Sequence, residues 1–115
     1  MPTEIENAVP VAIGVVDGGI GINFGRRHGL ENEVHRDFLH DMLIHAGFRF
    51  PETVRYERNK TGSDGKIYVD WMRLRISSDE CQVNNVNPND GVLHLREYLR
   101  SATCYDRYGV AFDVA

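Results

Sequence analysis

Residues 11–24 alternate with a period of two on both sides of a Gly-containing turn. Val11, Ile13 and Val15 precede Asp17-Gly18-Gly19, and Ile20, Ile22 and Phe24 follow it. That pattern predicts a tight β-hairpin. Either Asp17-Gly18 or Gly18-Gly19 can form the centre of the turn. Both registers place the same six apolar residues on one face, because strand side chains change sides at every step. The other face carries Ala12, Gly14, Gly21 and Asn23, with Val16 as its only large side chain. So bare a surface admits a helix, another backbone or a ligand.

The period changes after the Gly25-Arg26-Arg27-His28-Gly29 segment. Residues 30–46 follow helical spacing, with Val34, Phe38, Leu39, Met42, Leu43 and Ala46 on one broad face and Gly47 as a C-terminal stop. Pro51 opens an extended region read as a second hairpin, with strands over 53–58 and 66–76 around a polar loop over 59–65. Residues 81–83 carry a weak extended signal. A turn-rich stretch over 84–91 leads into a second helix over 92–103, with Val92, Leu95, Tyr98, Leu99 and Ala102 as its apolar stripe. Tyr108, Val110, Phe112 and Val114 alternate as a final half-buried strand.

The order β-β-α-β-β-α-β predicts a single α+β domain over 1–115. It is read as a two-layer sandwich: a mainly antiparallel sheet of about five strands with both helices on one face. The ferredoxin-like and profilin-like orders are close alternatives. With 115 residues there is room for one core and no second domain. Charged residues make up 26% and the net charge is −4, which excludes the composition of a wholly disordered chain.

No N-terminal basic region precedes Arg26, so no export signal is read. The apolar stretch over 8–16 is too short to span a membrane and is broken by Pro10 and Gly14. Cys81 and Cys104 lie in no C-x-x-C pattern, which fits reduced, buried thiols and a cytoplasmic protein. No metal or cofactor motif is present in the sequence.

His35, His40 and His45 are five residues apart, and five residues advance about 140° around a helix, so they form no ligand comb. His35 falls in the middle of the apolar face, as a partly buried core histidine or as a functional base. Asp41 and His45 are i, i+4 neighbours. Asp70 shares a strand face with Tyr68, Met72, Leu74 and Ile76, unless a bulge near Trp71 turns it outward. His35 and Asp70 together make a candidate pocket over the small-residue face of the first hairpin. Arg26, Arg27 and His28 precede a helix and make a candidate anion site, although Glu31 and Glu33 oppose an anion there.

Charge is unevenly distributed. Residues 49–75 hold seven basic and four acidic side chains, whereas 76–91 hold three acidic and no basic ones. Arg55, Arg58, Trp71, Arg73 and Arg75 on the second hairpin, with Arg96 and Arg100 on the second helix, are the candidate partner-binding residues, because Arg and Trp dominate interface energetics.

No nucleophile elbow, zinc-hydrolase helix or paired Cys and His marks an enzyme. The sequence is therefore read as a non-enzymatic, protein-binding module that acts stoichiometrically on a macromolecular partner, as an inhibitor, immunity protein or adaptor, of the kind mobile elements such as phages encode. The alternatives are nucleic-acid binding through the basic aromatic hairpin over 53–76 and a small hydrolase-like enzyme using the His35/Asp70 pocket.

Overall fold

The computed structural model describes residues 8–25, 32–51, 54, 59–61, 67–69 and 73–115. Strands β1 (Val9–Val16) and β2 (Gly19–Phe24) form the first hairpin, with Val16 opposite Gly19. That register makes Asp17-Gly18 the central pair, and both residues have positive φ, 51° and 78°. Positive φ at both central positions gives the type I′ geometry, whose twist matches that of the flanking strands.

Helix α1 (Asn32–His45) follows. It ends as a Schellman motif: the Gly47 N–H donates to the Ile44 carbonyl at 3.0 Å and the Phe48 N–H to the Leu43 carbonyl at 3.0 Å, with Gly47 at φ 97°. Phe48 is buried, so the stop also folds the chain back onto the core.

The second half of the chain differs from its sequence-based expectation in several places. Where one hairpin with a long second strand was expected, two separate pairings occur. β3 (Asn59–Thr61) pairs antiparallel with β4 (Ile67–Val69) in a two-stranded sheet. β5 (Arg73–Ile76) leaves that ladder and joins β2 antiparallel, with Leu74 opposite Ile22 and Ile76 opposite Ile20. Asn59–Thr61 was expected to be loop. The expected strand over 53–58 lies outside the described residues apart from Val54, which is buried.

Residues 81–83 are helical rather than extended. They belong to α2 (Ser78–Val83), whose N-cap Ser77 accepts from the Glu80 N–H at 3.2 Å. α3 (Pro88–Arg100) starts earlier than its apolar stripe, because Asn87 accepts from the Asn89 N–H and Pro88 sits in the first turn, where a missing N–H costs nothing. It also stops earlier. Ser101, extended at ψ 150°, breaks the expected second helix and caps a further one, α4 (Ala102–Tyr108). The final strand is correspondingly short, β6 (Phe112–Val114).

The main sheet is four-stranded and mixed, in the order β5-β2-β1-β6, because β6 lies parallel to β1. A fold of the α+β class is thus observed, with four helices and six strands among the described residues. The core covers one face of that sheet. Val9, Val11, Ile13, Ile20, Ile22, Phe24, Leu74, Ile76, Phe112 and Val114 meet Phe38, Leu39, Met42 and Leu43 of α1 and Val92, Leu95, Tyr98 and Leu99 of α3. Phe38 stacks on Phe112, with centroids 5.4 Å apart, and tilts against Phe24 at 6.2 Å.

The opposite face is exposed at Pro10, Ala12, Asn23, Arg73 and Asp113, and half-exposed at Gly14, Gly21 and Arg75. No helix of the described residues is long and apolar enough to cross a membrane.

Candidate functional site

Two regions of the molecule bring functional chemistry together. The first lies where α1, α3 and α4 meet. Ser101 ends α3 by donating from its hydroxyl to the Tyr98 carbonyl, and the same oxygen accepts from the Cys104 N–H at 3.2 Å. This break turns the chain so that Cys104, fully buried, lies against the Tyr98 hydroxyl as a hydrogen-bonded pair.

Burial pushes the Cys104 thiol up to about 11; the Tyr98 hydroxyl lowers it and the Asp41 charge raises it. Tyr98 is pushed far above the usual phenol range, first by burial and then by the neighbouring Cys104 and Asp41. Burial therefore favours the protonated form of this thiol.

On the other side of Tyr98, the His45 ring stacks on the phenol with centroids 4.2 Å apart and planes 24° from parallel. The His45 Nδ1–H donates to the Asp41 backbone carbonyl at 2.8 Å. The i, i+4 relation of Asp41 and His45 is therefore a main-chain bond and not a carboxylate–imidazole pair. The Asp41 carboxylate instead accepts from the Tyr108 hydroxyl and lies 3.0 Å from an Arg107 guanidinium nitrogen, which docks α4 on α1.

Burial and the bond to Asp41 both push the Tyr108 phenol up. An open pocket of about 300 Å³ adjoins this cluster, lined by His45, His94, Glu97, Tyr98, Ser101 and Thr103. No group of three or more metal-ligating side chains converges there or elsewhere among the described residues.

The second region is the outer face of the sheet. Alternation along the strands puts Ala12, Gly14, Gly21 and Asn23 at its centre, with Pro10 and Asp113 paired at one end. In register beside Asn23 and Gly21 stand Arg73 and Arg75 of β5. A Cβ added at Gly14 would meet nothing within 4 Å, whereas one at Gly21 would lie 2.8 Å from the Val16 Cγ2, so this surface is open at Gly14 and covered by the Val16 side chain at Gly21. Arg75 lies 3.8 Å from Asp17 of the hairpin turn, which is itself 92% exposed.

The residues selected from sequence are distributed unevenly over these regions. Arg73 and Arg75 belong to the outer face. Arg96 and Arg100 make intramolecular contacts: the Arg96 guanidinium donates to the Ile13 carbonyl at 2.9 Å and that of Arg100 to the Val114 carbonyl at 2.8 Å. They clasp α3 to the sheet margin where β1 runs on past β6. Arg26, Arg27, His28, Arg55, Arg58, Asp70 and Trp71 lie outside the described residues.

His35 falls in the first turn of α1, where only the backbone is described. The helix that carries it packs on the apolar face of the sheet, on the side away from Gly14 and Gly21. The Asp41, Tyr98, Cys104 and Tyr108 cluster was not selected from sequence. Its one visible signal was the tyrosine within the apolar stripe, Tyr98, whose hydroxyl needs a partner when buried.

Compared with family models, curated proteins and solved structures, the chain matches none.

Proposed function

We propose that this chain is a non-enzymatic binding module that acts stoichiometrically on a macromolecular partner, as an inhibitor, immunity protein or adaptor of the kind mobile elements encode. The outer sheet face is its contact surface. The carrying observation is the asymmetry of the sheet. One face is buried under α1 and α3, while the other is exposed at Ala12 and Asn23 and presents Arg73 and Arg75.

The small residues Ala12 and Gly14, beside the single large side chain of Val16, let a partner's backbone or side chains approach closely. Two guanidinium groups beside this surface supply the charge-assisted hydrogen bonds that orient a contact. The buried, protonated Cys104 and the carboxylate of Asp41, occupied by Tyr108 and Arg107, offer no activated nucleophile or base.

The test is affinity capture with the full chain, followed by cross-linking to locate the contact. Ala12→Glu and Arg73→Glu abolish recovery of the captured protein, whereas Val83→Glu, on the exposed side of α2, retains it. Capture unchanged by both face variants would overturn the reading. Small-molecule turnover that is lost in His45→Ala would replace it with chemistry at the pocket. Nucleic-acid binding that weakens steeply with salt would replace it with the basic hairpin.

A further inference from the structure

The charges on the outer face are polarised across the strands. Arg73 and Arg75 stand on β5 at one margin, and Asp113 stands on β6 at the other, exposed between buried Phe112 and Val114. Asn23, Gly21, Ala12 and Gly14 between them carry no charge. Three strand spacings, about 14 Å, separate the two margins.

Such a surface is complementary to itself. A two-fold axis lying in the face, close to the strand direction, sets β5 of one copy over β6 of the other and repeats the contact on the opposite margin. An axis across the strands would place arginine over arginine. Closed pairs of this kind are the commonest assemblies of soluble chains.

We infer that a second copy of this chain covers the outer face in a symmetric homodimer, with Arg73 of each copy directed to Asp113 of the other. The dimer rests on the reading of this face as a contact surface and regulates it, since a copy seated there excludes a different partner.

Ala12 and Gly14 are small and Val16 is the one large apolar side chain beside them, so the two sheets approach to the usual ~10 Å, which brings long arginine side chains within reach of the facing strand. Arg75 is held partly by its own Asp17, so Arg73 contributes more to the pair. The face is small: four short strands cover roughly 300 Å² in projection, against about 800 Å² per partner in a standard interface. The dimer is therefore weak and concentration-dependent, and it opens for a tighter ligand.

Sedimentation equilibrium on the full chain from about 10 µM to about 1 mM, at low and high salt, tests this. The wild type shows a monomer–dimer equilibrium that weakens as salt screens the paired margins. The double variant Arg73→Asp/Arg75→Asp, and separately Asp113→Arg, each raise the dissociation constant by about tenfold or more, because like charges then face each other. An equimolar mixture of these two variants associates at least as well as the wild type, since each carries the charge the other lacks. Rescue on mixing also shows that neither variant has merely unfolded.

A wild type that stays monomeric throughout, or a mixture no better than its separate components, overturns the dimer. If the wild type stays monomeric while Arg73→Glu still abolishes capture, the dimer falls and the binding reading stands. A salt-sensitive dimer with capture indifferent to the face variants gives the reverse result.

Discussion

Asn84 is the buried polar side chain of the described core, only 2% exposed. Its Oδ1 accepts from the Phe50 N–H at 2.7 Å and its Nδ2 donates to the Glu80 carbonyl at 2.9 Å. One amide thereby ties the chain leaving α1 to the end of α2. Asn84→Ala removes two hydrogen bonds, each worth about 1 kcal/mol net, and leaves a small cavity, for a total loss of roughly 2–3 kcal/mol.

Urea unfolding followed by far-UV circular dichroism reads this loss directly. With a slope of about 1.5 kcal/mol/M, the midpoint drops by about 1.5 M. Asn84→Asp separates the two bonds, because it keeps the acceptor and replaces the donor with an oxygen facing the Glu80 carbonyl. Burial raises the folded pKa of the introduced carboxyl above its unfolded value of about 3.9. The variant is therefore nearest to wild type below pH 4 and loses stability as the pH rises through the folded pKa. An Asn84→Ala protein within about 0.5 kcal/mol of wild type, or an Asn84→Asp deficit that does not grow with pH, would refute the assignment of Asn84 as a structural tie.

Glycine substitutions separate two roles in the first hairpin. A Cβ at Gly19 would lie 2.0 Å from the Ile76 carbonyl oxygen and 2.9 Å from the Ser77 carbonyl carbon, so Gly19→Ala costs more than about 2 kcal/mol, whereas Gly14→Ala, facing open space, changes the melting midpoint little or raises it. Arg96→Ala loses both the bond to Ile13 and the packing of its stem, about 2 kcal/mol. Arg96→Met keeps the stem and removes a buried Nε that has no hydrogen-bond partner, so in urea titrations it costs less than about 1 kcal/mol. In alkali, the stability contributed by the Cys104 thiol is full below pH 9.0, its ordinary value, and is lost as the pH rises toward about 11, its folded value. Tyr98 and Tyr108, raised above 10.0, add loss of the same sign above that pH. Melting curves across this range in Cys104→Ala show a shallower decline if the thiol contributes as described. Native protein reacts with a thiol reagent at Cys81 and Cys104 only at its opening rate, while urea-unfolded protein reacts at once; two immediate equivalents from the native state would contradict their burial.

The parts of this fold that were legible in the sequence are those governed by local periodicity. The first hairpin, its face assignment and the stop at Gly47 follow from alternation and one left-handed residue. Local rules also explain two of the misreadings. Ser77 and Glu80 have the spacing of an N-terminal helix cap, and that signal outweighs the three extended-looking residues 81–83 that follow it. Ser101 in the middle of an apolar stripe competes for backbone hydrogen bonds and breaks the helix.

Other features had no local signature. Nothing near Arg73 tells it to leave the β4 ladder for β2, and nothing near Phe112 specifies a parallel partner about 100 residues away. The candidate sites divide in the same way. Exposed arginines are visible as residue types, but whether a guanidinium meets solvent, as Arg73 does, or a strand carbonyl, as Arg96 and Arg100 do, is set by tertiary approach.

The parallel seam between β1 and β6 governs when this molecule can become itself. Val9 waits for Phe112, and Val11 for Val114, so the sheet stays incomplete until nearly the entire described chain has left the ribosome. The clasps of Arg96 and Arg100 close on the same seam. The first hairpin and α1 therefore spend synthesis with their apolar faces only partly covered, at elongation rates of about 5–20 residues per second. Final assembly is a late, long-range event that makes folding slow for a chain of this size. A nascent chain stalled before Ala111 offers its unpaired β1 margin to solvent, to chaperones or to another such chain.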